Sequence, residues 1–229
     1  MRLAVLAAAV LVAAHGAGSA TAAAPTPAAT PELFGALPTT SEVQISPNGS
    51  RIAALMNGSS GPQLVVFPLG EAGAKPEGIL LGGAKARALL WKDDSTLLVL
   101  VSLARTVDVV DGRRPIEFFR WIAVDTKTFK TTRLFDNEQG YFIADPGQLI
   151  ASLPSDPSEA VFARTSVDGV SAASSQTAIG MMTGADIDKI TYALFRVSMA
   201  NRVRKTEKGE PKTRNWFTDA AGAPFIRID

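Results

Sequence analysis

From Glu42 to Asp229 the chain is a succession of short apolar runs cut by clusters of Pro, Gly, Asp, Asn and Ser. Runs of that length, bounded by turn formers, predict β-strands. They fall at 42–46, 51–56, 63–69, 86–91, 96–103, 118–125, 131–135, 148–153, 160–165, 192–198, 202–206 and 225–229. Helical periodicity is nearly absent, and only 184–192 has the pattern of a helical turn.

An internal repeat runs through these strands. Ile45-Ser46-Pro47-Asn48-Gly49-Ser50 leads into an apolar strand from Arg51, and Trp91-Lys92-Asp93-Asp94-Ser95 leads into one from Thr96. Leu153-Pro154-Ser155-Asp156-Pro157-Ser158 and Phe217-Thr218-Asp219-Ala220-Ala221-Gly222 follow the same grammar. Each copy is a strand end, a tight turn and a second strand. A second hairpin type lies between copies, with turns at 126–130 and 199–201. Two hairpins per unit make a four-stranded sheet, and such sheets repeated around an axis make a β-propeller. The fold class expected is therefore all-β, a partial β-propeller of about four four-stranded blades over 32–229. An irregular β-sandwich is the alternative. The step from Ile45 to Trp91 is close to one blade of roughly 40–45 residues. The two later steps are longer and need insertions, for which 105–116 and 166–189 are the candidates.

The N-terminus carries a different signal. Arg2 supplies a positive start, Leu3 to Ala14 is an unbroken apolar run, and Ala20-Thr21-Ala22 offers small residues where a signal peptidase reads. A signal peptide over 1–22 is expected, and with it export to the periplasm or beyond. A bilayer span takes about 20 predominantly apolar residues, and this run breaks at His15-Gly16, so no stable membrane anchor is expected. A lipid anchor would need a cysteine, and the chain has none. Residues 23–31, with three prolines, read as a flexible spacer.

Composition narrows the chemistry. Loss of Arg2 with the leader brings the 23 basic residues level with the 22 acidic ones, which argues against a nucleic-acid or polyanion binder. Without cysteine, an exported domain has no disulfides and is held by packing alone. The single histidine is His15, inside the leader, so no Ser-His-Asp triad can be assembled after cleavage.

The remaining candidates are weighed against plainer readings. Gly169-Val170-Ser171-Ala172-Ala173 approaches a nucleophile elbow but lacks its last glycine and its histidine, and reads as a small-residue loop. Asp93-Asp94 would be paired carboxylates, or simply turn formers. Asp186 and Asp188 have the spacing of part of a calcium loop without its glycine and distal glutamate. The basic segment from Arg202 to Arg214, with Trp216 and Phe217 nearby, reads as a solvated hairpin face rather than a nucleic-acid site. Asn48-Gly49-Ser50 and Asn57-Gly58-Ser59 fit the glycosylation pattern and are also ordinary turns. No catalytic residue, cofactor or metal is assigned. The final run Phe225-Ile226-Arg227-Ile228-Asp229 reads as a strand with an open edge, so self-association or pairing with a peptide or protein chain is expected there.

The order Leu33-Phe34-Gly35-Ala36-Leu37-Pro38, Ile45-Ser46-Pro47-Asn48-Gly49-Ser50-Arg51, Leu90-Trp91-Lys92-Asp93-Asp94, Leu153-Pro154-Ser155-Asp156-Pro157 and Trp216-Phe217-Thr218-Asp219 resembles the N-terminal propeller of secreted bacterial prolyl oligopeptidase-family serine peptidases. The resemblance implies a propeller that restricts access to a C-terminal α/β-hydrolase domain, which carries the catalytic serine, aspartate and histidine. This chain stops at Asp229 before any such domain, so it is expected to be a non-catalytic fragment of that machine. An independent periplasmic propeller-like module that binds proteins is the alternative.

Overall fold

The computed structural model describes residues 38–70, 73–109, 112–136, 145–167 and 190–229. All of these lie in one compact unit, Leu37–Asp229. They form fourteen strands and no helix. Sheet 1 comprises β1 (Thr40–Ile45), β2 (Arg51–Gly58), β3 (Gly61–Pro68) and β4 (Glu77–Leu80). Sheet 2 comprises β5 (Lys85–Trp91), β6 (Thr96–Val109), β7 (Gly112–Asp125) and β8 (Thr131–Arg133). Sheet 3 comprises β9 (Gln148–Ala151), β10 (Glu159–Val167), β11 (Ile190–Ser198) and β12 (Val203–Glu207), and sheet 4 comprises β13 (Asn215–Thr218) and β14 (Pro224–Ile228). Every strand pairs antiparallel with its neighbour in sequence, so each sheet is a simple meander.

There are four separate sheets, the number expected of the blades and twice that of a sandwich, but the fourth has two strands instead of four. The expected insertion at 105–116 is a lengthening of the β6–β7 hairpin, whose pairing continues from Arg105↔Ile116 to Val109↔Gly112. Alternating polar and apolar residues keep that stretch extended beyond the reach of β5, which ends its pairing at Ser102. Residues 1–37, where a signal peptide and a spacer are expected, and 168–189, which hold most of the insertion expected at 166–189 and the start of the expected helical turn, lie outside the described residues, while Ser166 and Val167 belong to β10. Ile190 to Tyr192, the rest of that turn, belong to β11.

Packing follows from which faces are apolar. Ala53, Leu55, Leu64 and Val66 of sheet 1 meet Leu89, Leu97, Val99 and Val101 of sheet 2. The opposite face of sheet 2, with Leu98, Trp121 and Ala123, meets Ala160, Phe162, Phe195 and Val197 of sheet 3. The far face of sheet 3, with Val161, Ala163 and Leu194, meets Trp216 of sheet 4. The two middle sheets are thus buried on both sides, which is why Leu97-Leu98-Val99 and Ala160-Val161-Phe162-Ala163 are unbroken apolar runs with no exposed surface.

Each tryptophan links two sheets through its indole N–H. Trp91 donates to the Gln44 carbonyl (3.1 Å), Trp121 to the Gly147 carbonyl (3.5 Å) and Trp216 to the Tyr192 carbonyl (2.7 Å). The large ring fills the seam while the N–H keeps its partner. The result is a stack of sheets in chain order.

Candidate functional site

The turn between the first two strands is built alike in all four sheets. Asn48 Oδ1 accepts the Ser50 N–H (2.9 Å) and hydroxyl (2.7 Å), and Asp93 Oδ1 accepts both from Ser95 at 2.8 Å. Asp156 Oδ1 accepts the Ser158 N–H (3.0 Å) and hydroxyl (2.7 Å), and Asp219 Oδ1 accepts the N–H groups of Ala221 (2.9 Å) and Ala223 (2.8 Å). A short carboxylate or amide side chain that satisfies backbone donors two residues on is what fixes such a turn. The third strand then closes on the first turn. The N–H groups of Leu69, Thr126 and Met199 donate to the carbonyls of Ser50, Ser95 and Ser158, each at 2.8 Å.

Cations join one turn to the next. The Arg51 guanidinium donates to the Asp94 carbonyl and to Thr126 Oγ1 (2.7 Å). Lys92 Nζ donates to the carbonyls of Leu153 (3.2 Å) and Asp156 (2.7 Å). Arg196 donates to the Ala221 carbonyl and pairs with Glu159 (3.2 Å). Asp93 and Asp94 therefore do not act as a pair. Asp93 caps its own turn, and Asp94 Oδ1 accepts the Asn48 N–H of sheet 1 at 2.8 Å. Lys92 is 2% exposed, and its burial pushes the ammonium below its usual pKa while Asp93 and Asp156 oppose the change. It is the only fully enclosed cation among the described turn residues.

Between sheets 2 and 3, beside this row of turns, lies a groove of about 420 Å³. Asp125, Thr128, Lys130 and Thr132 line one wall, and Ser158, Glu159, Ser198 and Arg202 line the other. A second hollow, of about 580 Å³, lies against the long hairpin, where Leu103, Phe118 and Ile122 meet Arg105, Arg120 and Arg133. Asp136 pairs with two of those arginines, at 3.3 Å from Arg120 and 3.1 Å from Arg133.

The serine hydroxyls of the first groove are engaged in local hydrogen bonds. The Ser158 hydroxyl donates to Asp156, and the Ser198 hydroxyl accepts the Arg202 N–H at 2.9 Å. Hydrogen bonds from Ser158 hold the Asp156 carboxyl below its ordinary 3.8, and those from Thr128 and Lys127 do the same for Asp125. Carboxylates so stabilised are weak bases. Lys130, Arg202 and the hydroxyls of Thr128, Thr132, Ser158 and Ser198 give the groove hydrogen-bond donors on both walls.

The lowered Asp156 pKa carries a sign. A carboxyl whose folded pKa lies below its unfolded value contributes stability above the unfolded value, and that contribution is lost as pH falls through 3.8 toward the folded pKa. Asn48 occupies the matching position of sheet 1 and makes the same turn without charge. Asp156→Asn is therefore expected to fold, and to show a smaller drop in melting temperature below about pH 4 than the unchanged chain. Parallel acid melting curves for the two proteins would expose the error.

The structure disperses the other sequence candidates. Arg202 lines the groove, Lys205 Nζ donates to Ser166 Oγ (2.7 Å), and Glu210 pairs with Arg227 at 3.8 Å. Trp216 is buried in the seam with sheet 3, and Phe217 is exposed on the other face. Asn57 Nδ2 donates to the Pro38 carbonyl (2.7 Å). The Gly169–Ala173 stretch, Asp186 and Asp188 lie outside the described residues. Among the described residues no cluster of His, Cys, Asp or Glu is placed to hold a metal. Lys92, Lys130 and Glu159 were not singled out by the sequence as site residues, and their signal is positional, each lying within a few residues of a turn.

No protein-family profile matches the chain, and no curated protein sequence does. Among solved structures, one to which it is distantly similar is an acylaminoacyl peptidase of Pyrococcus horikoshii, at 15% identity and a TM-score of 0.44, over 75% of this chain and 25% of that one. The chain thus spans about a quarter of that enzyme's length.

Proposed function

We propose that this chain is a non-catalytic, propeller-type module of a secreted prolyl oligopeptidase-like serine peptidase, whose part is to restrict which peptides reach a hydrolase domain. The observation that supports this is the stack itself. Consecutive meanders pack face to face in chain order, with their first turns in one row tied by Arg51, Lys92 and Arg196. Blades of a propeller are arranged in this manner. The sequence motifs that carry the family resemblance fall largely in that row of turns, so they serve the architecture. The groove between sheets 2 and 3 adds a surface on which an extended peptide would find donors for its carbonyls and carboxylate. That groove also favours a second reading, an independent exported module that binds peptides or proteins.

A direct test is to incubate the exported chain with short chromogenic peptides and a serine-reactive probe, and to measure binding of the same peptides by calorimetry. No turnover, no labelled serine and weak binding that Arg202→Glu diminishes are expected. Turnover with a labelled serine would overturn the non-catalytic reading. Absence of all binding would remove the access role and leave only the architecture.

A further inference from the structure

Lys130 and Arg202 hold the same position in consecutive sheets. Each immediately precedes the fourth strand of its sheet, β8 or β12. In each case its carbonyl accepts the N–H of the residue that ends the third strand, Asp125 to Lys130 at 3.0 Å and Ser198 to Arg202 at 2.8 Å. Their side chains line opposite walls of the groove between sheets 2 and 3. Arg51, Lys92 and Arg196 are taken up by the ties between turns. No hydrogen bond or ion pair engages the side chain of Lys130 or Arg202 among the described residues. The carboxylates of the groove are already satisfied. Asp125 Oδ1 accepts the N–H groups of Lys127 (2.9 Å) and Thr128 (2.8 Å), and Glu159 pairs with Arg196 (3.2 Å). The uncompensated charge of the groove is therefore positive, and it stands on both walls. The four turns at this end of the two sheets, 92–95, 126–130, 152–158 and 199–202, are all described, and the hollow lies between two complete four-stranded sheets.

We propose that this groove takes an acidic peptide in extended form, with carboxylates on alternate residues, one held by Lys130 and the other by Arg202. The inference narrows the peptide-binding role given to the groove above and rests on it; it does not require the peptidase reading. Packed sheets stand about 10 Å apart, and residues i and i+2 of an extended chain lie about 7 Å apart on one face. The flexible stems of a lysine and an arginine span that difference. An arginine fork takes a carboxylate through two parallel hydrogen bonds, and a lysine holds the second as a point charge. Ala123, Met199 and Ala200 offer apolar contact to the residue between the two carboxylates. The volume of about 420 Å³ falls within the roughly 300–1,000 Å³ of small-ligand sites. A nucleic acid would also bring negative charge, but no aromatic ring lines the groove for its bases to stack on.

The test uses end-blocked peptides of one length. One carries two glutamates on alternate residues, one carries them on adjacent residues, and two more carry glutamines or lysines in place of the alternate glutamates. Calorimetry with the full chain at low ionic strength is expected to show the alternate-glutamate peptide binding about tenfold more tightly than its glutamine counterpart, the effect of two exposed ion pairs near the top of their range. Adjacent glutamates point to opposite faces of an extended chain, so that peptide is expected to bind several-fold more weakly than the alternate one. Lys130→Gln combined with Arg202→Gln is expected to erase the preference and leave the glutamine peptide bound as before. Lys130→Glu combined with Arg202→Glu is expected to turn the preference toward the lysine peptide. Both side chains are exposed, and circular dichroism establishes that the variants fold. Equal affinity for the glutamate and glutamine peptides would overturn the inference while leaving the peptide-binding reading in place. So would a preference that survives the double glutamine variant, equal binding of alternate and adjacent glutamates, or an oligothymidylate that binds more tightly than any peptide. If none of the peptides binds, the peptide-binding reading itself falls, and this inference with it.

Discussion

Phe162→Ala will lower unfolding free energy by about 4 kcal/mol, the range for removing a fully buried phenylalanine. The ring sits where sheets 2 and 3 meet and has no exposed surface. It packs 5.7 Å from Trp121 of sheet 2 and edge-on to Phe135 at 5.5 Å, and Phe135 in turn stands edge-on to Phe195 at 5.8 Å. Truncation would remove the ring common to both contacts and leave a hole that backbones on both sides hold open. Collapse is opposed because Phe135 is pinned with a left-handed φ of 61° and carries the Arg164 guanidinium over its ring at 4.6 Å. A loss of that size is roughly a third or more of the stability of an ordinary domain, and for a domain of this length it lowers the melting temperature by about 10 °C. Phe225→Ala is the control. That side chain is 63% exposed, and its loss is expected to stay within about 0.5 kcal/mol. Equal urea midpoints for the two variants would mean that the seam between sheets 2 and 3 is not a core.

How much of this was legible beforehand varies along the chain in a physically sensible way. Strands buried on both faces, such as β6, β10 and β11, announce themselves as apolar runs, and the sequence placed all of them. β4 was missed because it is a short edge strand with a glycine, partnered on one side only and mostly exposed. β13 was read only as a strand end because Trp216 is its single buried residue. The long hairpin was read as an insertion because its residues are polar, and polarity does not distinguish a loop from a solvated two-stranded arm. The repeated turns were readable down to the Asn or Asp that caps each one. Their ties to neighbouring turns were not, because the acceptors of Arg51, Lys92 and Arg196 are backbone carbonyls 43, 61 and 25 residues away, and a carbonyl leaves no mark in a sequence. The groove was hidden for the same reason. Its walls come from two sheets, and no local spacing relates Lys130 to Arg202.

The seam between sheets 3 and 4 depends on a residue with no side chain. Gly209 follows β12 with a φ of +73°, a conformation L side chains rarely adopt, and a Cβ there would stand 2.5 Å from the Tyr192 carbonyl oxygen. That oxygen accepts the Trp216 indole N–H at 2.7 Å, one of the bonds that tie sheet 4 to sheet 3 beside the Arg196 bond to the Ala221 carbonyl. Gly209→Ala therefore meets two costs at once. The left-handed backbone costs roughly 1–2 kcal/mol for any residue with a Cβ. The clash is with backbone, which cannot rotate away, so either the loop or the carbonyl must move, and a displaced carbonyl forfeits a bond worth about 1 kcal/mol. A total near 3 kcal/mol is expected, together with a red shift of Trp216 emission as water reaches the seam. Gly49→Ala separates the two costs. Gly49 has nearly the same φ, +71°, but its Cβ would meet nothing within 4 Å. It should cost only the backbone share, roughly 1–2 kcal/mol, and leave tryptophan emission unchanged. If the two alanine variants unfold at the same urea concentration, the close approach to Tyr192 carries no energy, and sheet 4 is held to the stack by something other than the Trp216 bond.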